Sequence, residues 1–122
     1  MKRIVPAIAL LSIAFPLAAQ QPAPLTLDQR MSLRCSAAFA LIARGQETGD
    51  PVALAYPPLG VEAREYFVRA AAKVMDEAGL DEAGIGAALA AEARDLVERR
   101  NVDAVMRACL PQLGLPASAP RG

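Results

Sequence analysis

The chain has no histidine and no tryptophan, two cysteines, and lysine only at positions 2 and 73. Each shortage removes a class of chemistry. Without imidazole, neither a Ser-His-Asp nor a Cys-His apparatus can be assembled, and histidine-ligated zinc and haem go with them. The phosphate-cradling pattern Gly-x-x-x-x-Gly-Lys-Ser/Thr, the dinucleotide pattern Gly-x-Gly-x-x-Gly and the zincin pattern His-Glu-x-x-His do not occur. An even balance of 13 basic and 13 acidic side chains argues against a nucleic-acid partner, which would call for a clustered basic face. The scarcity of lysine beside frequent arginine and alanine matches a GC-rich bacterial genome rather than a task.

The first residues read as an address. Lys2 and Arg3 form a positive leader, Ile4 to Leu17 carries no charge, and Ala18 and Ala19 are the small residues that a signal peptidase requires. The uncharged run, about 14 residues broken by Pro6 and Pro16, falls short of the roughly 20 a membrane-spanning helix needs. Residues 1–19 are thus expected to be a cleaved signal for the bacterial periplasm or the exterior, with no stable membrane insertion afterwards. Cleavage removes Lys2 and Arg3 and leaves 11 basic against 13 acidic side chains, a net charge of −2. The remaining length suits one domain: a flexible lead-in at 20–25, a helical domain at 26–113 and a tail at 114–122.

In an oxidising compartment an even pair of distant cysteines, Cys35 and Cys109, reads as a disulfide. A redox-active pair would be close in sequence at a helix start, as in Cys-x-x-Cys. The bridge would tie the middle of the first helix to the end of the last.

The hydrophobic spacing predicts helices and no strand, an all-α fold of three to five helices and most simply four. Thr26 with Gln29 has the capping-box spacing, and Leu27, Met31, Cys35, Ala38 and Ile42 follow on one face, widened by Leu33, Phe39 and Leu41. Gly45 is the expected stop, and 46–60 the expected loop. A second helix is predicted from about 59–61 to Gly79. Its core side would carry Ala63, Phe67, Ala70, Ala71, Val74 and Ala78 with Val68 and Met75 beside them, and its outer side an ion pair between Glu65 and Arg69. The third predicted helix sets Ile85, Leu89, Ala93, Leu96 and the stem of Arg100 on one face and pairs Asp95 with Arg99, while Gly84 and Gly86 would let a neighbouring helix come close. Asn101 is the expected cap of a fourth helix carrying Val102, Val105, Met106 and Cys109, stopped by Pro111. A continuous helix over 82–110 is the alternative.

Two stretches hold the candidate functional residues. "MDEAGLDEAGIG" concentrates four carboxylates at 76–82. Counted as a calcium loop from Asp76, it puts Ala78 third, Asp81 sixth and Ala87 twelfth, where ligand, glycine and glutamate are needed. Punctuation fits instead: Gly79 ends one helix, Asp81 caps the next, and Leu80 with Ile85 forms a hydrophobic staple. Asp76 and Glu77 lie at the negative end of a helix dipole, where Lys73 offsets only one of them, so a partner is a candidate use for both. In "AYPPLG", Tyr56, Pro57, Pro58 and Leu59 either offer a partner an aromatic and an aliphatic group or lay them against the domain's own core. Carboxylate pairs at Glu62/Glu65 and Glu92/Asp95 have the spacing that two-acid hydrolysis would use.

The layout of a leader followed by a small disulfide-stapled helical domain resembles the acid-stress chaperones of the bacterial periplasm. That resemblance is one of architecture, and no cofactor is expected. With no histidine, an acid switch would rest on carboxylates titrating near about pH 4. The residues thus point to a non-enzymatic module that binds another periplasmic or envelope protein, as a chaperone, inhibitor or assembly factor. Open alternatives are a carrier of an apolar small molecule and, third, a carboxylate-based enzyme.

Overall fold

A computed structural model describes residues 24–115. The expected signal, most of the lead-in and the end of the tail lie outside the described residues. Among the described residues five helices follow one another: α1 (Leu27–Thr48), α2 (Pro51–Leu54), α3 (Gly60–Ala78), α4 (Glu82–Glu98) and α5 (Val102–Cys109), with a 3-10 turn at Leu110–Leu113. Strands are absent among the described residues. The expected all-α fold and its disulfide are both present.

The central element is α1, which packs against all four other helices. It starts on the predicted capping box: the amide of Gln29 donates to the Thr26 hydroxyl, and the amide of Thr26 donates to Oε1 of Gln29. It does not stop at Gly45. The helix runs a further turn to Gly49, whose left-handed φ of 78° is what the C-terminal cap demands. Gly45 serves packing instead, since a Cβ there would lie 2.5 Å from that of Ala53. Its missing side chain lets α2 lie against α1, offsetting the roughly 1 kcal/mol that glycine costs inside a helix. Part of the predicted loop is therefore helical. Asp50 caps α2 by accepting from the Val52 amide at 2.9 Å, with Pro51 at the first position, where its lost N–H matters least.

The buried residues form two clusters. The larger surrounds the Cys35–Cys109 bridge, whose Cα atoms are 5.6 Å apart, and includes Phe39, Ile42, Tyr56, Leu59, Leu96, Met106 and Leu110. Phe39 also forms a T-shaped pair with Tyr66, with ring centroids 5.2 Å apart. The smaller cluster is Leu33, Val74 and Ile85, with Leu25, Met75, Leu80 and Leu89 packed on it. It closes the turn between α3 and α4, where Gly79 (φ 66°) ends α3, and Asp81 caps α4 by accepting from the Gly84 amide at 2.7 Å.

Several predicted contacts are corrected. Val68 is exposed, so the buried face of α3 is narrower than its apolar content suggests, and Phe67 is only half-buried. Glu65 and Arg69, expected to pair, do not come within ion-pair distance, and Arg69 instead lines a cleft with Tyr66, Lys73 and Gln112. Neither glycine of α4 brings a helix close: Gly84 sits under its own cap beside Leu80 and Asp81, and Gly86 faces open space. The continuous helix over 82–110 is broken, with Arg100 exposed and in the left-handed region at φ 51°. Asn101 occupies the cap position of α5 but bonds nothing there with its side chain.

Candidate functional site

The "AYPPLG" stretch turns inward. Tyr56 and Leu59 are buried, which withdraws them from a partner, whereas Pro57 is half-buried and Pro58 exposed. The phenol of Tyr56 donates to Oδ1 of Asp103 on α5. Burial first, and this bond second, push the Tyr56 pKa up to about 12. The same hydrogen bond, ahead of the charge of Arg107, holds the Asp103 carboxyl below its ordinary value. A residue that sequence spacing does not reveal fixes the loop. Gln46 donates from Nε2 to the carbonyls of Ala53, Tyr56 and Pro57 at 3.0–3.3 Å and accepts from the Leu59 amide at 3.3 Å. One amide side chain thus serves four backbone groups around the loop, of which the Ala53 carbonyl also accepts from the Tyr56 amide.

Beside this clasp lies an open groove of about 540 Å³ between the second half of α1 and the first half of α3. From α1 come Phe39, Ala40, Ala43, Gln46 and Glu47, and from α3 come Gly60, Ala63, Arg64 and Phe67. Its floor is low because positions 40, 43 and 63 are alanine and position 60 has no side chain. Arg64 and Glu47 stand at its edges as exposed charges. Such a surface can take an apolar segment out of water and set its orientation by charge, but it holds no nucleophile and no base beyond Glu47.

A second cleft of about 430 Å³ runs along the α1–α4 face. There Nη1 of Arg34 donates to Oε2 of Glu92 and Oδ2 of Asp95, each at 2.8 Å, and Arg99 reaches Asp95 at 2.6 Å. The hydrogen bond from Arg34 is the first cause holding the Asp95 carboxyl below its ordinary value, and the bond to Asp95 in turn raises the Arg34 pKa. A general acid needs the opposite shift. The Glu92/Asp95 pair is thus an acceptor for Arg34, and Glu62 with Glu65 stands exposed on α3 outside both clefts.

In the doubled acidic stretch, Gly79 and Asp81 are punctuation as predicted, and one of the two surplus charges has an internal use. Glu77 accepts from Nε2 of Gln29 at 3.2 Å and lies 3.7 Å from Nζ of Lys73, joining the end of α3 to the start of α1. Gln29 therefore serves the cap and the tie together, which explains its burial. Asp76 remains exposed. Among the described residues no group of three or more Cys, Asp or Glu side chains could hold a metal ion.

No family model matches the chain, and no curated protein or solved structure is significantly similar to it.

Proposed function

We propose that this protein is a non-enzymatic binding module of the bacterial periplasm or exterior. In this reading it holds an apolar segment of another envelope protein, as a chaperone, inhibitor or assembly factor would. The observation that carries the proposal is the α1–α3 groove: about 540 Å³, floored by alanine and phenylalanine and open to solvent. A groove between two helices is the shape that receives an amphipathic helix, apolar face inward. The setting agrees with it. The leader pattern of residues 1–19 directs the chain outward, the intramolecular disulfide suits an oxidising compartment, and no described helix is long and apolar enough to cross a membrane. In one of the two candidate acid pairs Arg34 holds the Asp95 carboxyl below its ordinary value, the opposite of what a general acid needs.

A photoreactive residue at Ala40 in the groove, compared with one at exposed Glu98 on α4, tests the reading in the native host. A discrete envelope protein attached from position 40 and not from position 98 is the expected result. Equal labelling from both positions, or none from position 40, would overturn it. The second reading, a carrier of an apolar small molecule, is favoured by the groove volume, which lies in the range of roughly 300–1,000 Å³ typical of ligand sites. Native mass spectrometry of protein from its own host separates the two, because only a carrier arrives with a bound small mass.

A further inference from the structure

On α3, Val61 and Val68 are 59% and 60% exposed. Between them, at the spacing i, i+3, i+4, i+7 that makes one continuous stripe on a helix, stand Arg64 and Glu65. Both are exposed, and neither forms an ion pair within the described residues, unlike Arg30, Arg34, Lys73, Arg99 and Arg107. As neighbours at i, i+1 they cannot pair across the helix surface with each other. The stripe therefore has apolar ends and an unmatched opposite-charge pair at its middle.

Such a stripe complements itself. Laid antiparallel on a copy, with the twofold axis between Arg64 and Glu65, it brings Val61 of each copy against Val68 of the other. The same operation sets Arg64 of each copy against Glu65 of the other, so both apolar contacts and both ion pairs form at once. This is the isologous contact that twofold symmetry requires. Among the described residues no other exposed apolar pair combines these features: Leu27 and Met31 border charges already paired with each other, and Val52 and Leu54 sit on a helix of four residues.

We infer that the protein self-associates as a twofold dimer through antiparallel packing of α3 on α3. The inference rests on the α3 stripe and not on an occupant of the groove. A single helix pair buries well under the roughly 1,600 Å² of a standard interface, so the dimer is weak and concentration-dependent.

Sedimentation velocity of the processed, oxidised protein, from low micromolar to about 1 mM, reads the association directly. The wild-type chain is expected to shift toward the dimer over that range. Arg64→Glu, or Glu65→Arg, turns two attractions into two repulsions and should weaken the dimer about tenfold or more. An equimolar mixture of the two variants restores opposite charges at both contacts and should associate again, which also shows that both variants are folded. A wild-type chain that stays monomeric throughout, single variants that associate as well as wild type, or a mixture that fails to associate would each overturn the inference.

Discussion

The two hydrophobic clusters are built on different principles. The larger one is assembled from far-apart parts of the chain and closed covalently: α1, the "AYPPLG" loop, the end of α4 and α5 meet around Cys35–Cys109, across a sequence separation of 74. The smaller one, Leu33 with Val74 and Ile85, is closed by short-range devices, the Gly79 stop, the Asp81 cap and the Gln29–Glu77 tie. One end of the molecule relies on a cross-link to hold elements too short to hold themselves. The other relies on two long helices meeting at a well-marked turn. An isolated helix of eight residues such as α5 is unstable in water, so the bridge belongs where it is found.

Removing the bridge should separate the two ends most sharply. In the loop-entropy relation, opening a closed loop of this length costs about 4 kcal/mol. A Cys35→Ala/Cys109→Ala variant should show that loss by urea denaturation. Hydrogen exchange should rise first in residues 102–113 and later in the facing ends of α3 and α4. Uniform loosening of the whole domain would mean that the clusters form one cooperative unit.

The converse experiment strikes the small cluster. Leu33 is fully buried, and Leu33→Ala should cost about 3 kcal/mol from lost burial and the cavity left behind. Here exchange should rise first around the α3–α4 turn, with α5 still protected by the bridge.

The contrast between the clusters is also one of legibility. Signals confined to a few residues read correctly: the Thr26–Gln29 box, the Gly79 stop, the Asp81 cap, the buried side of α5, and the cysteine pair, for which chemistry leaves one reading. Gly45 misled because two glycines four residues apart can each end a helix, and the choice between them depends on Ala53 arriving from α2. Nothing in the local spacing of Gln46, Tyr56 or Arg34 shows that their partners lie across the fold at Leu59, at Asp103, or at Glu92 and Asp95. The groove was illegible for the same reason. Alanines at 40, 43 and 63 carry no signal of their own in the sequence, and only when the helices are placed do they line one groove, from exposed Ala40 through half-buried Ala43 to buried Ala63.

Two titrations sharpen the difference between covalent and polar closure. Within the large cluster, Tyr56→Phe should cost about 1 kcal/mol by removing the bond to Asp103. The folded pKa of Tyr56 is raised from its ordinary 10.0 to about 12, so its contribution is complete below pH 10.0 and is lost as pH rises toward 12. Stability of the wild type should therefore fall across that alkaline window more steeply than that of Tyr56→Phe. On the α1–α4 face the sign reverses. Asp95 is held below its ordinary 3.8, so its contribution is present above that value and is lost as pH falls through the lower folded value. Arg34→Met should flatten the loss of urea resistance between about pH 5 and pH 2. If both chains declined in parallel, the Arg34 fork would not be what links acid to unfolding.

The smallest effect discriminates most finely, because it compares two glycines two residues apart at the start of α4. Both lie in helix, where alanine is favoured over glycine by roughly 1 kcal/mol. At Gly86 an added Cβ meets nothing within 4 Å, so Gly86→Ala should realise most of that gain. At Gly84 the Cβ would lie 3.2 Å from Oδ1 of Asp81 and 3.3 Å from Cδ2 of Leu80, and the capping bond to Gly84's own amide runs through the same space. Gly84→Ala should then gain little or lose stability, and combining it with Asp81→Ala should recover part of the difference, since the obstructing oxygen is gone. Equal gains at both positions would show that the cap yields without cost, and that the small cluster is held by Leu33, Val74 and Ile85 rather than by the turn that delivers them.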